Sequence, residues 1–564
     1  MKNTKRARRA AAFAAAVVMA ACAAVPMSSS FSASAAGNNT ITITAVDGAA
    51  ITHNYEAYQV FKGQYAANAL GNIDWGTGVD GTAILNELKS AAAPLDVFNS
   101  AEDAKDVAKI LAANATEQQD DALAVAFAAV VGKHLTAVKS GTYANGAITG
   151  LDDGYYLVQD ASNSPSGTGA TNSGAKTRFI LKVAGGSVTV TAKSSAPSVI
   201  KKVKEDDKPV TGNVKVGSYT ADAQYNDVAD YCIGENVPFE LISTMPSTYD
   251  DYTSYFYQFT DTLATNFTLN KGSISVNVVN AGTKTPLTAT DYTVSTQDDT
   301  GKFTITINDT KKITAITKDS TIVVDYNATL NDTAEIGLPG QENKVDLTYS
   351  NNPNYTGKGE DTPEGDKGKT PEDKVIVFTY ELDVTKYLGN DQTPANATDG
   401  TKAGFKLGNA NGSKWATVDG NLRITGWVDD VAAATEVTTD ATGIFKFIGL
   451  DDGVYTLKET TTPTGYNTMA DLTLTIGATT VNNQIWSGTA SDALSAIKLT
   501  MNSTNTDGDV NEGTVNGSII NQKGSSLPST GGIGTTMFYV GGGVLVAGAG
   551  VLLITKKRAK KDAE

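Results

Sequence analysis

Along most of the chain, short runs of Val, Ile, Leu, Phe and Tyr alternate with Thr, Ser, Asn and Lys, and Gly, Asn and Asp separate the runs. This period-two pattern predicts half-buried β-strands joined by turns. The strands fall into three groups. The first opens at residues 40–44 and resumes at 155–158, 177–183 and 187–191. Between them, residues 83–89 and 101–135 are Ala-rich, with apolar positions three and four apart (Ala108, Leu111, Ala112; Leu123, Val125, Ala126, Ala129, Val130). That spacing predicts two or three helices inserted into a β domain. The second group comprises 237–242, 255–259, 273–279, 303–307, 321–326 and 344–349. A polar Gly/Lys/Asp/Pro stretch, 356–371, predicts a linker. The third group begins with a strand at 375–387, in which Leu382, Val384 and Lys386 share a face, and closes with 513–521.

Two longer apolar runs frame these groups. Residues 10–25 are Ala-rich and follow Lys2, Lys5, Arg6, Arg8 and Arg9, and Ala33-Ser34-Ala35 offers a cleavage site before Ala36. This is the layout of a secretory signal peptide, residues 1–35. Cys22 lacks the preceding Leu of a lipoprotein signal. Residues 533–555 form a 23-residue apolar run followed by Lys556, Lys557, Arg558, Lys560 and Lys561. A helix of that length covers a bilayer core of about 30 Å at about 1.5 Å per residue. The basic end would stay in the cytoplasm.

The precursor has 45 basic and 61 acidic residues, a net charge of −16. Removing the signal peptide and everything after Thr530 leaves 35 basic against 59 acidic residues, net −24. That argues against binding nucleic acid or anionic lipid. Without Cys22 only Cys232 remains, so no internal disulfide is available, and a buried apolar role is expected for it. His53 and His134 are far apart, which disfavours a His/Cys metal site. Residues 505–512 alternate acids but lack the Gly that a calcium loop requires, so they predict a polar hairpin turn. No metal, cofactor or enzyme activity toward other molecules is expected.

Motifs sharpen the picture. Leu527-Pro528-Ser529-Thr530-Gly531 stands just before the membrane run. It resembles the LPXTG signal of Gram-positive surface proteins, which implies cleavage by sortase between Thr530 and Gly531 and transfer of the Thr530 acyl group to an amine. Residues 455–466, Tyr-Thr-Leu-Lys-Glu-Thr-Thr-Thr-Pro-Thr-Gly-Tyr, resemble the E-box of CnaB-type domains, with Thr462 in place of the usual Ala. The resemblance implies a Lys–Asn isopeptide bond between first and last strands, assisted by the Glu. Carried over residue by residue, Lys386 is the nucleophile, Asn521 the electrophile and Glu459 the proton shuttle. The bland alternative is a buried Lys–Glu ion pair beside an Asn.

The second group resembles the central, CnaA-type domain of fimbrial shaft subunits. This implies a second bond, with Lys201, Asp261 and Asn343 in the matching roles. Lys202 is an alternative to Lys201, and Asn351 to Asn343. Residues 150–160 repeat at 449–459, so the first and third domains are expected to share a fold, with Asp160 falling where Glu459 falls. The first group offers no Lys before Lys62 and no Asn in its closing strands, so no bond is expected there. Finally, Val188-Thr-Val-Thr-Ala-Lys193 partly matches the pilin motif, with Trp, Tyr and Pro replaced by Ala184, Thr191 and Ala192.

The whole pattern resembles the major shaft subunit of sortase-assembled pili, of the FimA or SpaA kind. It implies a mainly β chain of tandem Ig-like CnaA- and CnaB-type sandwiches, the first with a helical insertion. The expected divisions are a domain at 36–196, a domain at 197–355, a linker at 356–371, a domain at 372–523 and a sorting signal at 527–564. The implied partners are sortase, identical subunits joined from Thr530 to Lys193, tip and base pilins, peptidoglycan and a host surface. A wall-anchored adhesin or base subunit that does not polymerise is the alternative.

Overall fold

The computed structural model describes residues 37–44, 51–66, 69–116, 121–162, 164–166, 174–192, 195–354, 367–390, 392–396, 401–524 and 533–561. The signal peptide, Lys193 and Leu527–Gly531 lie outside the described residues.

The first domain packs two four-stranded sheets. One runs in the order Thr142–Ala144, Ala147–Leu151, Asn39–Thr44, Val188–Thr191, and the other Ala69–Trp75, Tyr55–Ala66, Gly154–Asp160, Arg178–Val183. Ile41, Ile43, Tyr55, Ile148 and Val158 fill the space between them. The expected helical insertion forms three helices, Gly81–Lys89, Ala104–Asn114 and Ala122–Lys133. Asp80, Asp103 and Asp121 cap them by accepting from the backbone N–H three residues on. Val107, Leu111, Phe127 and Val131 pack over the outer face of the second sheet, against Tyr58, Val60, Phe61 and Tyr155. Gly154–Asp160 is therefore buried on both faces, and its sequence does not alternate.

The second domain faces two seven-stranded sheets across a core rich in Tyr and Phe. Val199–Lys204, Asn236–Thr244 and Thr321–Leu330 are neighbours in one; Gln341–Ser350, Tyr257–Leu263 and Lys302–Ile307 are neighbours in the other. Two boundaries differ from expectation. Lys367–Lys369, inside the expected linker, pairs with Gln341–Ser350. The strand expected at 375–387 is divided at Thr379. Its first part, Asp373–Phe378, joins the second domain's sheet between Val228–Asp230 and Gln341–Ser350. The reason lies in the side chains. Val375, Ile376, Val377 and Phe378 are all buried, as in a strand covered on both faces, whereas alternation starts only at Tyr380. The second domain thus runs through Phe378.

The third domain opens with Tyr380–Leu388, which pairs antiparallel with Ile444–Leu450 and parallel with Thr514–Asn521. The facing sheet includes Gly404–Asn409, Gly453–Thr461, Leu472–Thr480 and Leu494–Met501. One apolar cluster runs unbroken from the second domain into the third, through Val377, Phe378 and Tyr380. The first domain joins the second by polar contacts instead. The Arg178 guanidinium donates to the carbonyls of Pro353 at 2.8 Å and Asp251 at 2.9 Å, and the Lys176 N–H donates to Asn351 O at 2.6 Å. Where a polar turn was expected at 505–512, Thr504–Asp507 is a strand paired with Leu494–Met501 through a turn at Asn502 and Ser503, and only residues 510–513 turn, before Thr514–Asn521. The final helix, Ile533–Lys561, contains a stretch from Phe538 to Lys557 long and apolar enough to cross a membrane.

Candidate functional site: two buried Lys, Asn and carboxylate clusters

In the third domain, alternation along Tyr380–Leu388 turns Tyr380, Leu382, Val384, Lys386 and Leu388 inward. Lys386 is fully buried and its Nζ lies 5.4 Å from the centroid of the Phe405 ring. Beside it runs Thr514–Asn521, in which Ile519 and Asn521 face in and Ile520 faces out. Lys386 Nζ donates to Asn521 Oδ1 at 2.5 Å and lies 3.5 Å from Glu459 Oε1. Asn521 Nδ2 donates to Glu459 Oε1 at 2.6 Å.

The rest of the E-box positions the carboxylate. After Glu459 the chain turns at Pro463, with Gly465 at φ 87°, a conformation other side chains resist. The returning segment donates the Met469 N–H to Glu459 Oε2 at 2.7 Å. The Asn467 N–H donates to Gln522 O at 3.0 Å, tying the turn to the end of the last strand. Burial lowers the Lys386 amine below its ordinary value, opposed by Glu459. The amide carbonyl therefore faces the amine, and the amide nitrogen faces the acid.

The second cluster spans the two sheets of its domain. Val199, Lys201 and Val203 face the core, whereas Lys202 turns away and pairs with Asp227. Lys201 Nζ donates to Asp261 Oδ2 and, at 2.8 Å, to the Tyr326 hydroxyl. Tyr326 donates to Asp261 Oδ2 at 2.9 Å, and Asn343 Nδ2 donates to Tyr326 at 2.8 Å. All four side chains are at most 1 % exposed. Asp261 Oδ1 and Asn343 Oδ1 have no hydrogen-bond partner. Burial lowers Lys201 to about 8 against the pull of Asp261, and burial raises Asp261 despite Lys201. The pair is thereby poised to share one proton without net charge.

Asn351, the other candidate for the last strand, faces the first domain, where its Nδ2 donates to Gly174 O at 3.2 Å. Tyr326 was not anticipated. It reaches the cluster from Thr321–Leu330, and its spacing resembles that of any core Tyr in a strand. Asp160, at the matching place in the first domain, accepts from Ser164 Oγ at 2.5 Å and the Thr177 N–H at 2.6 Å, with His53 Nδ1 at 2.7 Å.

Three family models match the chain. Residues 233–353 match the Gram-positive pilin backbone subunit 2, Cna-B-like domain. Residues 396–487 match the SpaA prealbumin-like fold domain, and 519–562 the LPXTG cell wall anchor motif. The chain has the domain set of a Gram-positive backbone pilin. It is a secreted, cell-wall-anchored surface protein. Similar solved structures include the T6 backbone pilin of serotype M6 Streptococcus pyogenes (17 % identity, TM-score 0.48, 88 % of this chain and 100 % of that one). The group B streptococcus pilus 2b backbone protein is 25 % identical, with TM-score 0.37 over 53 % of this chain and 97 % of that one. The major pilin SpaD of Corynebacterium diphtheriae is 15 % identical, with TM-score 0.41 over 87 % and 98 %. No curated protein sequence matches.

Proposed function

We propose that this chain is a pilus shaft subunit, polymerised head to tail by sortase and stabilised within each subunit by two Lys–Asn isopeptide bonds. The observation that carries the covalent part is the Lys386–Asn521–Glu459 geometry, in which the amine lies 2.5 Å from the amide oxygen and 3.5 Å from the carboxylate, and the amide nitrogen 2.6 Å from the carboxylate. The neutral Lys386 amine attacks Asn521 Cγ. Glu459 takes the proton released by the amine and passes it to the departing Nδ2, so a C–N bond forms, a C–N bond breaks and ammonia leaves. Lys201 and Asn343 would react in the same way, with Asp261 as the shuttle and Tyr326 orienting both partners. The chemistry acts only within the chain, so the protein is not an enzyme toward other molecules.

Each bond would tie the first strand of its domain to a late strand, across 142 and 135 residues. Closing loops of that size stabilises by roughly 5 kcal/mol through the unfolded state. It also carries tension past the rest of the sheet, as a shaft requires. The acyl group of Thr530 would pass to Lys193 of the next subunit. In support, Lys193 ends the Val188-Thr-Val-Thr-Ala-Lys193 match, two residues beyond the strand Val188–Thr191 that closes the first domain. A head-to-tail link of this kind does not close on itself and gives a filament. Tip and base pilins, peptidoglycan and a host surface complete the proposed partners. Immunoblots of SDS-boiled wall extracts test the assembly. We expect a high-mass ladder from the wild type and monomer from Lys193→Ala. Monomer alone in wild-type cells that make the polymerising sortase would favour an anchored adhesin.

A further inference from the structure

Met469 touches both the amine and the acid of the third domain's cluster. Its backbone N–H donates to Glu459 Oε2 at 2.7 Å, and its Sδ lies 3.9 Å from Lys386 Nζ. The E-box pattern ends at Tyr466, three residues earlier, so the motif assigns nothing to this position. Local contacts fix the segment that carries it. Tyr466 bridges to Lys523, and the Asn467 N–H donates to Gln522 O at 3.0 Å, so this segment follows the end of the strand that bears Asn521. Thr462 Oγ1 and Thr468 Oγ1 share a hydrogen bond at 2.8 Å. Thr462 is the residue at which this E-box departs from its usual Ala, and an Ala has no hydroxyl with which to hold Thr468. Met469 is thereby set in register with both the acid and the amide.

The surroundings of the amine show what a sulfur does there. Lys386 Nζ has Asn521 Oδ1 at 2.5 Å, Glu459 Oε1 at 3.5 Å and the Phe405 ring centroid at 5.4 Å. Among the described residues, Glu459 is the one ionisable group that faces it. The Lys386 and Glu459 side chains are fully buried. Met469 packs against the same core but is only half-buried, so its side chain forms part of the wall between amine and solvent. A thioether is a weak acceptor and an adaptable filler. An oxygen in its place would hydrogen-bond the ammonium form and hold it against deprotonation, and water admitted through a gap would do the same. Only the neutral amine has the lone pair that attacks Asn521 Cγ.

We propose, resting on the isopeptide reading of this cluster, that Met469 is a positioning residue for the Lys386–Asn521 reaction. Its backbone N–H aims the Glu459 carboxylate, and its thioether walls the amine off from water without stabilising the protonated form. The same residue thus sets the acid and favours the reactive state of the nucleophile.

The rate of linking as a function of pH tests the proposal on the extracellular part, residues 36–524, which holds all the described sheets and cores of the three domains. Chains stalled by an arrest peptide placed after residue 524 keep Asn521 inside the ribosome and unlinked. Release into buffers of graded pH starts the reaction, and acid-quenched samples give the 386–521 link by peptide mass. We expect the wild-type rate to rise with pH to a plateau. Met469→Gln should move the midpoint of that rise up by about one unit, the effect of one added hydrogen bond to a charged group. Below the midpoint this slows linking about tenfold. Met469→Ala, which admits water, should move it the same way, and it replaces Met469→Gln if that variant lacks the trypsin resistance of the wild type. Met469→Leu, similar in volume and without an acceptor, should recover what Met469→Gln loses. An unmoved midpoint in the folded Gln or Ala variant, or the same displacement in Met469→Leu, would overturn the role of Met469 and leave the link itself standing. No 386–521 link in the wild type would instead overturn the isopeptide reading, and this role with it.

Discussion

The first and third domains are two versions of one design. In each, the opening strand pairs antiparallel with the strand before the Gly-Leu-Asp-Asp-Gly turn and parallel with the closing strand. Leu151 pairs with Asn39 where Leu450 pairs with Tyr380. Counting on from these registers, Ala45 stands in sequence for Lys386 and Ser194 for Asn521. Asp160 stands for Glu459 and is held by Ser164, the Thr177 N–H and His53 rather than by an amine and an amide. The same strand pairing thus accommodates a buried Lys–Asn–Glu cluster or an ordinary polar network. The comparison also separates what holds each domain. The third shares its apolar core with the second, whereas the first has its own cores and three helices to cover its outer sheet.

The strongest way to break this comparison is to remove the amine. Lys386→Ala should cost the third domain about 5 kcal/mol, the stabilisation expected from closing so long a loop, and should restore one ammonia to the mass of the chain. Calorimetry and intact mass read the two effects.

An Asn343→Ala variant of the second domain, which cannot link, exposes the titration of Lys201. Its folded value, about 8, lies below the ordinary 10.5. Between those values the unfolded chain binds a proton that the folded chain lacks, so stability should rise with pH across that window, by up to about 3 kcal/mol. Asp261, pushed up by burial, acts in the opposite sense at lower pH. Urea unfolding at pH 8 and pH 10 measures the slope.

Asp160→Ala should cost the first domain about 1–3 kcal/mol, the penalty for orphaning its buried partners, without changing the mass deficit of the chain. Denaturant unfolding and mass together check this. The smallest effect is expected from Tyr326→Phe, which removes the hydroxyl shared by Lys201, Asp261 and Asn343. The second bond should form more slowly, yet reach the same final mass. A time course of ammonia loss after refolding follows it.

Much of this was legible in the sequence, for identifiable reasons. Lys386 shares a face with Leu382 and Val384 because the strand alternates, and the E-box spacing singles out Glu459. The helices announced themselves through their Ala-rich composition and apolar spacing. What stayed hidden depends on contacts between elements. The division at Thr379 is invisible when an all-buried run abuts an alternating one. Tyr326 stands two strands from Lys201 in the same sheet and meets Asp261 and Asn343 only across the core, and the strand Lys367–Lys369 forms from residues whose composition reads as linker. Asn343 and Asn351 have the same strand parity, and only the tertiary packing separates them, setting Asn343 beside the Tyr326 hydroxyl and Asn351 against the first domain.

The most direct test of the central contrast is the mass of the purified extracellular part, followed by sequencing of its cross-linked tryptic peptides. The account predicts a chain two ammonias lighter than its sequence, with one link joining Lys386 to Asn521, another joining Lys201 to Asn343, and none in residues 36–196. A full sequence mass, or a link within the first domain, would contradict it.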